Sequence, residues 1–263
     1  MLKEKYKFLL YRKWLSLKKV VCRPVEPKYL FILSPPYSGS TLLQQILFSS
    51  KNVSANNPIG KHREGQKLPY VRKLMFPSID YRWDSRHKMP WEDIKIEWHK
   101  YWDITKPILL EKSPPNTVRA LDIENVFQPV YFICLMRNPY AICEGWLRRL
   151  TKNIDDPIQI IQKCLFYQRK NLDQLENSIY LKYEDLVDKP NYSKKQIISF
   201  LPDLVDLDFD KKFTAHNSRN KKLSLINLNR EKIDRLSIKD INRATYLLRP
   251  YESLVNSFGY ELL

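Results

Sequence analysis

A short turn of small residues, Ser34-Pro-Pro-Tyr-Ser-Gly-Ser-Thr-Leu-Leu43, is the first segment whose residue types could bind a charged ligand. It follows an apolar run suited to a buried strand and precedes a run suited to a helix. Such a turn exposes backbone N–H groups at a helix N-terminus, where they and the helix dipole bind phosphate. Gly39 lets the backbone approach a ligand closely, and Ser40 and Thr41 add hydroxyl donors. The turn therefore predicts a phosphate-binding loop, although an ordinary strand–helix connection would use the same residues.

The loop lacks the lysine of the common nucleotide-binding pattern. In G-x-x-x-x-G-K-[ST], the lysine reaches the phosphates and the hydroxyl after it binds Mg²⁺. Here Ser40 follows Gly39 directly. We therefore expect neither the lysine nor the Mg²⁺ apparatus of an ATPase in this loop.

Three further polar side chains each follow or end an apolar run. Arg137 comes directly after the run 130–136, Lys112 follows a shorter run, and Tyr183 ends another. Because α/β sheets bind ligands at the carboxyl ends of their parallel strands, we expect these side chains to face one crevice. Arg137 could pair bidentately with a second phosphate, and Lys112 could act as a compact cation beside a transferring group. A local salt bridge for Arg137 and a half-buried core position for Tyr183 are the plain structural alternatives.

The elements that must position these residues follow from the apolar periodicity. Strands are predicted at Tyr29–Ser34, Ile108–Leu110, Val130–Met136 and Ile179–Lys182. Helices are predicted at Thr41–Ser50, Asn116–Phe127 with Asn116 as N-cap, Tyr140–Leu150, Pro157–Leu175, near Ser193–Leu201 and at Ser237–Leu248. Short continuous apolar strands that alternate with helices indicate an α/β fold, with a parallel sheet covered on both faces. Residues 52–107 are polar and rich in Trp and Pro, and we interpret them as an irregular insertion in one domain.

The composition and the charge limit the classes of protein to which this chain can belong. The chain has 263 residues, of which 43% are hydrophobic and 13% aromatic, which excludes a disordered chain, a coiled coil and a collagen-like repeat. The net charge is +16, and residues 1–30 and 210–249 each carry +7 of it. Basic ends favour an anionic partner such as nucleic acid, a membrane surface or a phosphorylated ligand, although a solvated basic surface is an equal alternative.

The N-terminal segment and the cysteines bear on location. Met1–Val21 is basic and amphipathic, so it could lie on a membrane surface, although a helix packed on the domain is favoured. The four cysteines have no metal-ligand or disulfide-framework spacing, which favours a reducing compartment. No apolar run reaches the 18 residues of a transmembrane helix. We therefore expect a cytoplasmic protein, with or without peripheral membrane contact through this segment.

The four segments together resemble, in order and strand context, the sulfotransferase family that uses 3′-phosphoadenosine-5′-phosphosulfate (PAPS). Pro36-Tyr-Ser-Gly-Ser-Thr41 is similar to the family's loop for the 5′-phosphosulfate, and Arg137-Asn-Pro to its 3′-phosphate motif. Tyr183-Glu-Asp-Leu resembles the segment whose tyrosine contacts the adenine, and Glu111-Lys-Ser-Pro the lysine segment near the sulfuryl group. The resemblance covers about residues 28–260 and includes Phe258-Gly-Tyr260. It is nearer the carbohydrate and tyrosylprotein branches than the cytosolic aryl branch, because K-[TS]-H-L-P is absent.

This resemblance implies a P-loop-containing parallel sheet, residues 1–27 as a basic N-terminal segment and residues 28–263 as a single sulfotransferase domain. It implies PAPS as sulfuryl donor, no metal, and a small-molecule, glycan or protein acceptor with a hydroxyl or amine; we expect no nucleic acid. The donor-binding residues it implies are Tyr37, Ser38, Gly39, Ser40, Thr41, Leu42, Arg137 and Tyr183. Lys112 would stabilise charge at the sulfuryl group, and Glu64 would be the general base, with His62 as the second candidate. Glu111 should point to the opposite side of its strand from Lys112 and is interpreted as structural.

Two positions depart from the family's pattern. Tyr37 stands where the loop usually has Lys or Arg, so we expect Lys112 first, and Arg63 second, to supply the missing positive charge. Gly145 stands where a serine often binds the 3′-phosphate, so a backbone N–H or a basic residue of 219–222 is expected there instead. The acceptor should contact residues 52–107, where Trp83, Trp91, Trp98 and Trp102 either stack on it or form a small core of the insertion.

Two other functions remain open from the residues alone. A nucleotide or sugar kinase with a degenerate phosphate loop is disfavoured by the missing loop lysine and the lack of an obvious Mg²⁺ aspartate at a strand end. A basic module that binds nucleic acid or a membrane is favoured by the charged ends. No RRM, KH or zinc pattern supports the nucleic-acid version.

Overall fold

The computed structural model describes residues 2–59, 63–210, 213, 214, 222, 223 and 225–263. The strands are β1 (Lys28–Leu33), β2 (Val53–Ala55), β3 (Ile108–Glu111), β4 (Val130–Met136), β5 (Ser178–Lys182), β6 (Phe213–Thr214) and β7 (Lys222–Leu223). The α-helices are α1 (Leu2–Val21), α2 (Ser40–Leu47), α3 (Val71–Met75), α4 (Trp91–His99), α5 (Ala120–Glu124), α6 (Pro139–Leu147), α7 (Asp155–Gln174), α8 (Tyr183–Asp188), α9 (Pro190–Phe200), α10 (Asn229–Ile233), α11 (Ile238–Leu248) and α12 (Glu252–Ser257). Short 3₁₀ helices cover Gly65–Lys67, Ile79–Trp83, Pro114–Arg119, Pro202–Leu204 and Arg249–Tyr251.

Five strands form one parallel sheet in the order β2-β3-β1-β4-β5. β1 lies in the middle, where Phe31 pairs with Glu111 of β3 and with Phe132 of β4. Since the strands run in the same direction, the segments that follow β1, β3, β4 and β5 leave the same edge of the sheet. This confirms the predicted α/β fold and brings the four motif segments to one side.

Both faces of the sheet are covered, which explains why β1 is apolar from Tyr29 to Leu33. Its residues alternate between two clusters: Tyr29, Phe31 and Leu33 pack into one, while Leu30 and Ile32 pack into the other. This alternation follows from the period of two in an extended strand. A strand buried on both faces needs apolar side chains on both, hence the continuous run in the sequence.

The prediction of an irregular insertion at 52–107 is wrong in part. Val53 of β2 pairs with Ile108 of β3, so the start of this segment is an edge strand of the main sheet. Further along, α4 packs its Trp91 and Trp98 into the cluster that also holds Phe31. Trp102 is buried in the same cluster, so these three tryptophans belong to the main core and do not form a separate core of the insertion.

The predicted helix Asn116–Phe127 is also corrected. The chain forms a 3₁₀ helix over Pro114–Arg119 and then the short helix α5. Asn116 caps no helix; its side chain is buried and hydrogen-bonded to Glu111. The segment begins with two prolines and forms a 3₁₀ turn where we expected the first turn of an α-helix. The side chain of Asn116 bonds to Glu111 and therefore cannot cap that turn.

The N-terminal segment forms the helix α1, which packs on the domain. Phe8 and Leu15 turn inward and are 7% and 1% exposed, and Lys18 forms an ion pair of 2.5 Å with Asp103. Among the described residues, no helix is both long and apolar enough to cross a membrane.

Candidate functional site

The loop between β1 and α2 presents backbone donors at the carboxyl edge of the sheet. Gly39 is the N-cap of α2 and has a φ of 94°, which glycine adopts without strain. The amides of Leu42 and Leu43 bond to the Gly39 carbonyl, at 2.9 and 3.1 Å. Within the described residues, the amides of positions 39–41 donate no hydrogen bond and therefore remain free for an anion.

The hydroxyls of the loop differ in role. Ser38 donates its hydroxyl to the Pro35 carbonyl at 2.7 Å, which ties the turn together. Thr41 Oγ1 accepts a hydrogen bond from Lys112 at 3.3 Å. The Ser38 hydroxyl therefore stabilises the loop itself, whereas the Thr41 hydroxyl contacts Lys112.

Tyr37 and Gly145, the two positions that depart from the expected pattern, touch each other. A Cβ placed on Gly145 would lie 3.0 Å from three atoms of the Tyr37 side chain, so a larger residue there would crowd the ring. Tyr37 has a left-handed backbone with a φ of 65°, and the Arg149 guanidinium lies 5.6 Å from its ring centre. Burial raises the pKa of the Tyr37 hydroxyl, against the smaller opposing effect of Arg149, so the phenol stays protonated at neutral pH.

Arg137 is 5% exposed and lies directly after β4. Its Nε donates to Asn229 Oδ1 at 2.7 Å, and its guanidinium lies 3.9 Å from the centre of the Tyr183 ring. Its Nη1 donates to the Tyr37 carbonyl at 3.4 Å, whereas its buried Nη2 has no partner among the described residues. Burial lowers the pKa of the guanidinium, because desolvation disfavours the charge. A desolvated cation with an unpaired donor is a site for an anion.

Glu184 of α8 holds this arrangement in place. Its Oε1 accepts hydrogen bonds from the Asn229 side chain and, at 3.0 Å, from the Asn138 amide next to Arg137. Its Oε2 accepts one from the Tyr260 hydroxyl at 2.8 Å. Asn229 thereby links a carboxylate to Arg137. Sequence reasoning missed Asn229, because nothing near it in the chain marks a site.

Tyr183 lies between the loop and Arg137. A Cβ on Gly39 would come within 2.3 Å of the Tyr183 ring, so only glycine fits at that position. Arg137 covers one face of the ring, and burial raises the pKa of the hydroxyl. Tyr183 therefore supports both the loop and Arg137, and the covered face is not open to a base.

Lys112 and Glu64 meet next to the loop. Lys112 is 2% exposed; its Nζ lies 3.4 Å from Glu64 Oε1. Burial lowers the pKa of the Lys112 ammonium, which Glu64 opposes. The other carboxylate oxygen, Glu64 Oε2, accepts a hydrogen bond of 2.5 Å from Gln66. The structure thus brings together Lys112 and Glu64, which the sequence analysis predicted as the cation and the general base.

Glu111 is buried and holds the backbone beside Glu64. It accepts hydrogen bonds from the Gly65 amide at 2.8 Å, from the Ser113 hydroxyl at 2.6 Å and from the Asn116 side chain. Burial raises the pKa of Glu111 to about 7, although the Gly65 and Ser113 donors oppose this change. This placement agrees with the structural role expected from the sequence.

The remaining candidates are placed differently. Arg63 has a φ of 52°, and its carbonyl accepts a hydrogen bond of 2.8 Å from the Gln44 side chain. His62 lies outside the described residues, as do residues 219–221 of the basic stretch 219–222. In the described part of the chain, no group of three or more His, Cys, Asp or Glu side chains is placed to hold a metal ion.

A basic region lies beside Gln66, the residue that donates a hydrogen bond to Glu64. A cavity of about 40 Å³ there is lined by Gln66, Lys67, Arg72, Phe76 and Arg82. Burial lowers the pKa of Arg82, with a smaller opposing effect of Glu64. Arg119 fixes this segment by donating to the carbonyls of Tyr81, Arg82 and Asp84, at 2.6, 3.0 and 2.6 Å. A wider depression of about 780 Å³ between α11 and the C-terminal residue contains none of the site residues.

Comparisons with known proteins address the family and the fold. A family model described as "Sulfotransferase family" matches residues 27–206. No curated protein matches the chain. Among solved structures, the sulfotransferase domain from the curacin biosynthetic pathway is similar with a TM-score of 0.54 at 20% identity, covering 90% of this chain and 99% of that one.

Two further solved structures give the same picture. The sulfotransferase domain of the olefin synthase from Synechococcus PCC 7002 has a TM-score of 0.53 at 20% identity, covering 92% of this chain and 98% of that one. A mouse sulfotransferase complexed with PAP has a TM-score of 0.53 at 13% identity, covering 89% and 88%. At such identities the likeness establishes the fold.

Proposed function

We propose that this chain, which belongs to the sulfotransferase family, transfers the sulfuryl group of PAPS to a hydroxyl or amine of an acceptor. The observation that carries the proposal is the pair of anion sites at one edge of the sheet. The amides of positions 39–41 and Nη2 of the buried Arg137 have no hydrogen-bond acceptor among the described residues. Two separate anion sites suit a nucleotide with phosphate groups on both sides of its ribose. ATP, which has a single phosphate chain, would leave one of them unused.

The residues present fit the donor. The loop amides would hold the 5′-phosphosulfate, and Arg137 would pair with the 3′-phosphate through Nη2. Tyr183 would position Arg137, and the part of its ring that Arg137 leaves uncovered would contact the adenine. When bound, PAPS supplies an activated sulfuryl group whose leaving group is a phosphate.

In the proposed mechanism, Glu64 acts as general base. The acceptor oxygen attacks sulfur, the bond from sulfur to the bridging oxygen breaks, and the electron pair leaves with 3′,5′-adenosine diphosphate. The acceptor proton passes to Glu64, whose Oε2 is held by Gln66. Lys112 stabilises the negative charge that develops on the bridging oxygen, and its burial strengthens this interaction.

The cation that the loop lacks at Tyr37 is supplied, in this proposal, by Lys112. Its Nζ already lies 3.3 Å from Thr41 Oγ1, at the start of α2 where the phosphosulfate would bind. The Tyr37 hydroxyl can donate one further hydrogen bond but carries no charge. A sulfuryl group bears less negative charge than a phosphoryl group, so fewer cations are needed to stabilise its transfer.

The acceptor enters, we propose, through the basic region beside Gln66. Lys67, Arg72 and Arg82 surround the cavity there, and Glu64 is the carboxylate whose charge acts on both Lys67 and Arg82. An acceptor that carries a carboxylate or sulfate close to its hydroxyl would place that anion among these cations. Small molecules, glycans and proteins can all present such a group.

Turnover of Glu64→Gln and Lys112→Met, with the affinity for 3′,5′-adenosine diphosphate measured in parallel, tests the mechanism. The acceptors are alcohols and phenols of graded pKa, each as a neutral and an acidic analogue. Loss of a general base typically costs about 10²–10⁴ in rate, and Glu64→Gln should affect alcohols most, since phenols lose their proton more easily. Lys112→Met should lower turnover for every acceptor.

The exposed Glu92→Gln on α4 is the matched control and should behave as wild type. Wild-type turnover of alcohols by Glu64→Gln would remove Glu64 from the mechanism. If the unmodified protein fails to bind 3′,5′-adenosine diphosphate, the proposed donor is wrong.

A further inference from the structure

The helix α1 has two apolar sides, of which only one is used. Phe8 and Leu15 face the domain and are buried. Seven other large apolar side chains of the helix are 47–86% exposed: Tyr6, Leu9, Leu10, Trp14, Leu17, Val20 and Val21. At about 3.6 residues per turn, Leu10 and Leu17 lie on one line of the helix, roughly opposite Leu15. The outward side is therefore a mostly apolar face, interrupted by the exposed Lys13, which we call the outer face of α1.

An outer face of this kind differs from ordinary surface hydrophobics. Single exposed apolar side chains are common in folded proteins, but contiguous apolar patches mark interaction sites. The residues follow one another at spacings of three, four and seven, as in Leu10, Trp14, Leu17 and Val21. In water, this face would leave several large side chains hydrated without any packing gain.

The helix is also strongly basic. Leu2–Val21 contains seven Lys or Arg and one acidic residue, a net charge of +6. Within the described part of the chain, Lys18 of this helix forms an ion pair with Asp103 of the domain. Apolar residues with a tryptophan among them, flanked by many lysines, are typical of helices that lie in the interface of an anionic membrane.

We propose that α1 binds the surface of an anionic lipid bilayer through its outer face, lying parallel to the membrane while Phe8 and Leu15 keep it attached to the domain. Charge decides between this partner and a second copy of the chain. Two such faces brought together would place two helices of +6 side by side, which is repulsive, whereas anionic headgroups attract them. α1 precedes the residues matched by the family model, which begin at 27, and contributes no residue to the candidate site.

Flotation of the full-length chain with lipid vesicles tests the proposal. Vesicles of phosphatidylcholine alone are compared with vesicles containing phosphatidylserine, at low and high salt. We expect the chain to float with the anionic vesicles, with binding reduced at high salt because screening weakens the attraction. Leu10→Ser combined with Leu17→Ser should reduce this binding at least tenfold.

The matched control is Ile238→Ser combined with Tyr246→Ser, which also removes two exposed apolar side chains, but from α11. It should float as wild type does. Far-UV circular dichroism and thermal unfolding show whether both double variants remain folded. No flotation of the wild-type chain, equal flotation of the Leu10/Leu17 variant, or a dimer by light scattering that this variant abolishes would each overturn the proposal.

Discussion

At the scale of single residues, Arg137 is a buried cation whose side chain is held by several neighbours. Asn229 and the Tyr37 carbonyl each take one N–H group, while Tyr183 lies against the guanidinium. These contacts restrict the side chain before any ligand arrives, so little conformational entropy is lost on binding. The remaining donor, Nη2, has no partner among the described residues, and in the proposed function it binds the 3′-phosphate.

We expect Arg137→Ala to weaken binding of 3′,5′-adenosine diphosphate by more than tenfold. The variant removes a charge-assisted hydrogen bond worth about 1.5–3 kcal/mol. Adenosine 5′-phosphosulfate, which lacks the 3′-phosphate, should bind nearly as before. Isothermal titration calorimetry with both ligands measures the difference, and Arg86→Ala, at an exposed arginine paired with Asp84, is the control. Equal losses for the two ligands would contradict the assignment.

Tyr37 and Gly145 form a second residue-scale unit, because the glycine leaves room for the ring. Gly145→Ser alone should lower stability and affinity for 3′,5′-adenosine diphosphate, since its Cβ would lie 3.0 Å from the Tyr37 side chain. Tyr37→Lys in the same chain removes the ring and should relieve part of this crowding. A double-mutant cycle on thermal stability and on affinity should therefore show a coupling of about 0.5–3 kcal/mol. Strictly additive effects would mean that the two departures are independent.

At the scale of elements, the strand ends set the geometry of the site. Gln168 of α7 donates to the carbonyls of Leu33 and Leu135, at 2.8 and 3.3 Å, and so ties the ends of β1 and β4 together. At the end of β3, Glu111 binds Gly65 and thereby anchors the segment that carries Glu64. The loop, Arg137 and Glu64 are thus held by contacts between elements that are distant in sequence.

We expect Glu111→Gln to flatten the dependence of stability on pH between about 5 and 7. The ordinary pKa of 4.5 is raised to about 7 in the folded protein by burial. Between these values the folded state binds more protons than the unfolded state, so stability falls as pH rises. A tenfold change in acidity corresponds to about 1.4 kcal/mol, so the shift in the pKa of Glu111 contributes at most about 3.5 kcal/mol. Thermal unfolding over this pH range measures it, and an unchanged slope in the variant would refute the ionisation of Glu111 as its cause.

At the scale of the whole molecule, the four cysteines report how the chain is packed. Cys134, Cys143 and Cys164 are buried, and desolvation raises the pKa of each thiol. Cys22, just after α1, is exposed. Since the thiolate is the reactive form, only Cys22 should react readily in the native protein.

A thiol titration with Ellman's reagent should therefore count one fast group in buffer and four in denaturant. Cys22→Ser should remove the fast group and leave the three buried thiols to react in denaturant. Rapid reaction of more than one thiol in the native state would show that the core clusters around β4, α6 and α7 open readily in solution.

The order of short apolar runs and helices determined the parallel sheet, because a strand buried on both faces needs apolar residues at every position. The same pattern placed the loop, Lys112, Arg137 and Tyr183 at one edge, since parallel strands end together. Tertiary packing decided what no local pattern contains. Trp98 and Trp102 entered the main core because α4 lies on the sheet, and β2 joined the sheet because it pairs with β3, which is distant along the chain.

The details of the site also depended on distant contacts. Asn229 reaches Arg137 across 92 positions, and Lys112 reaches Glu64 across 48. The strand-end motifs predicted Arg137 and Lys112 from their chemistry, and the family resemblance predicted Glu64. Packing between elements decides which donor of Arg137 lacks a partner among the described residues and why Gly145 accompanies Tyr37. It also decides which side of α1 faces away from the domain, so only the folded chain could show these details.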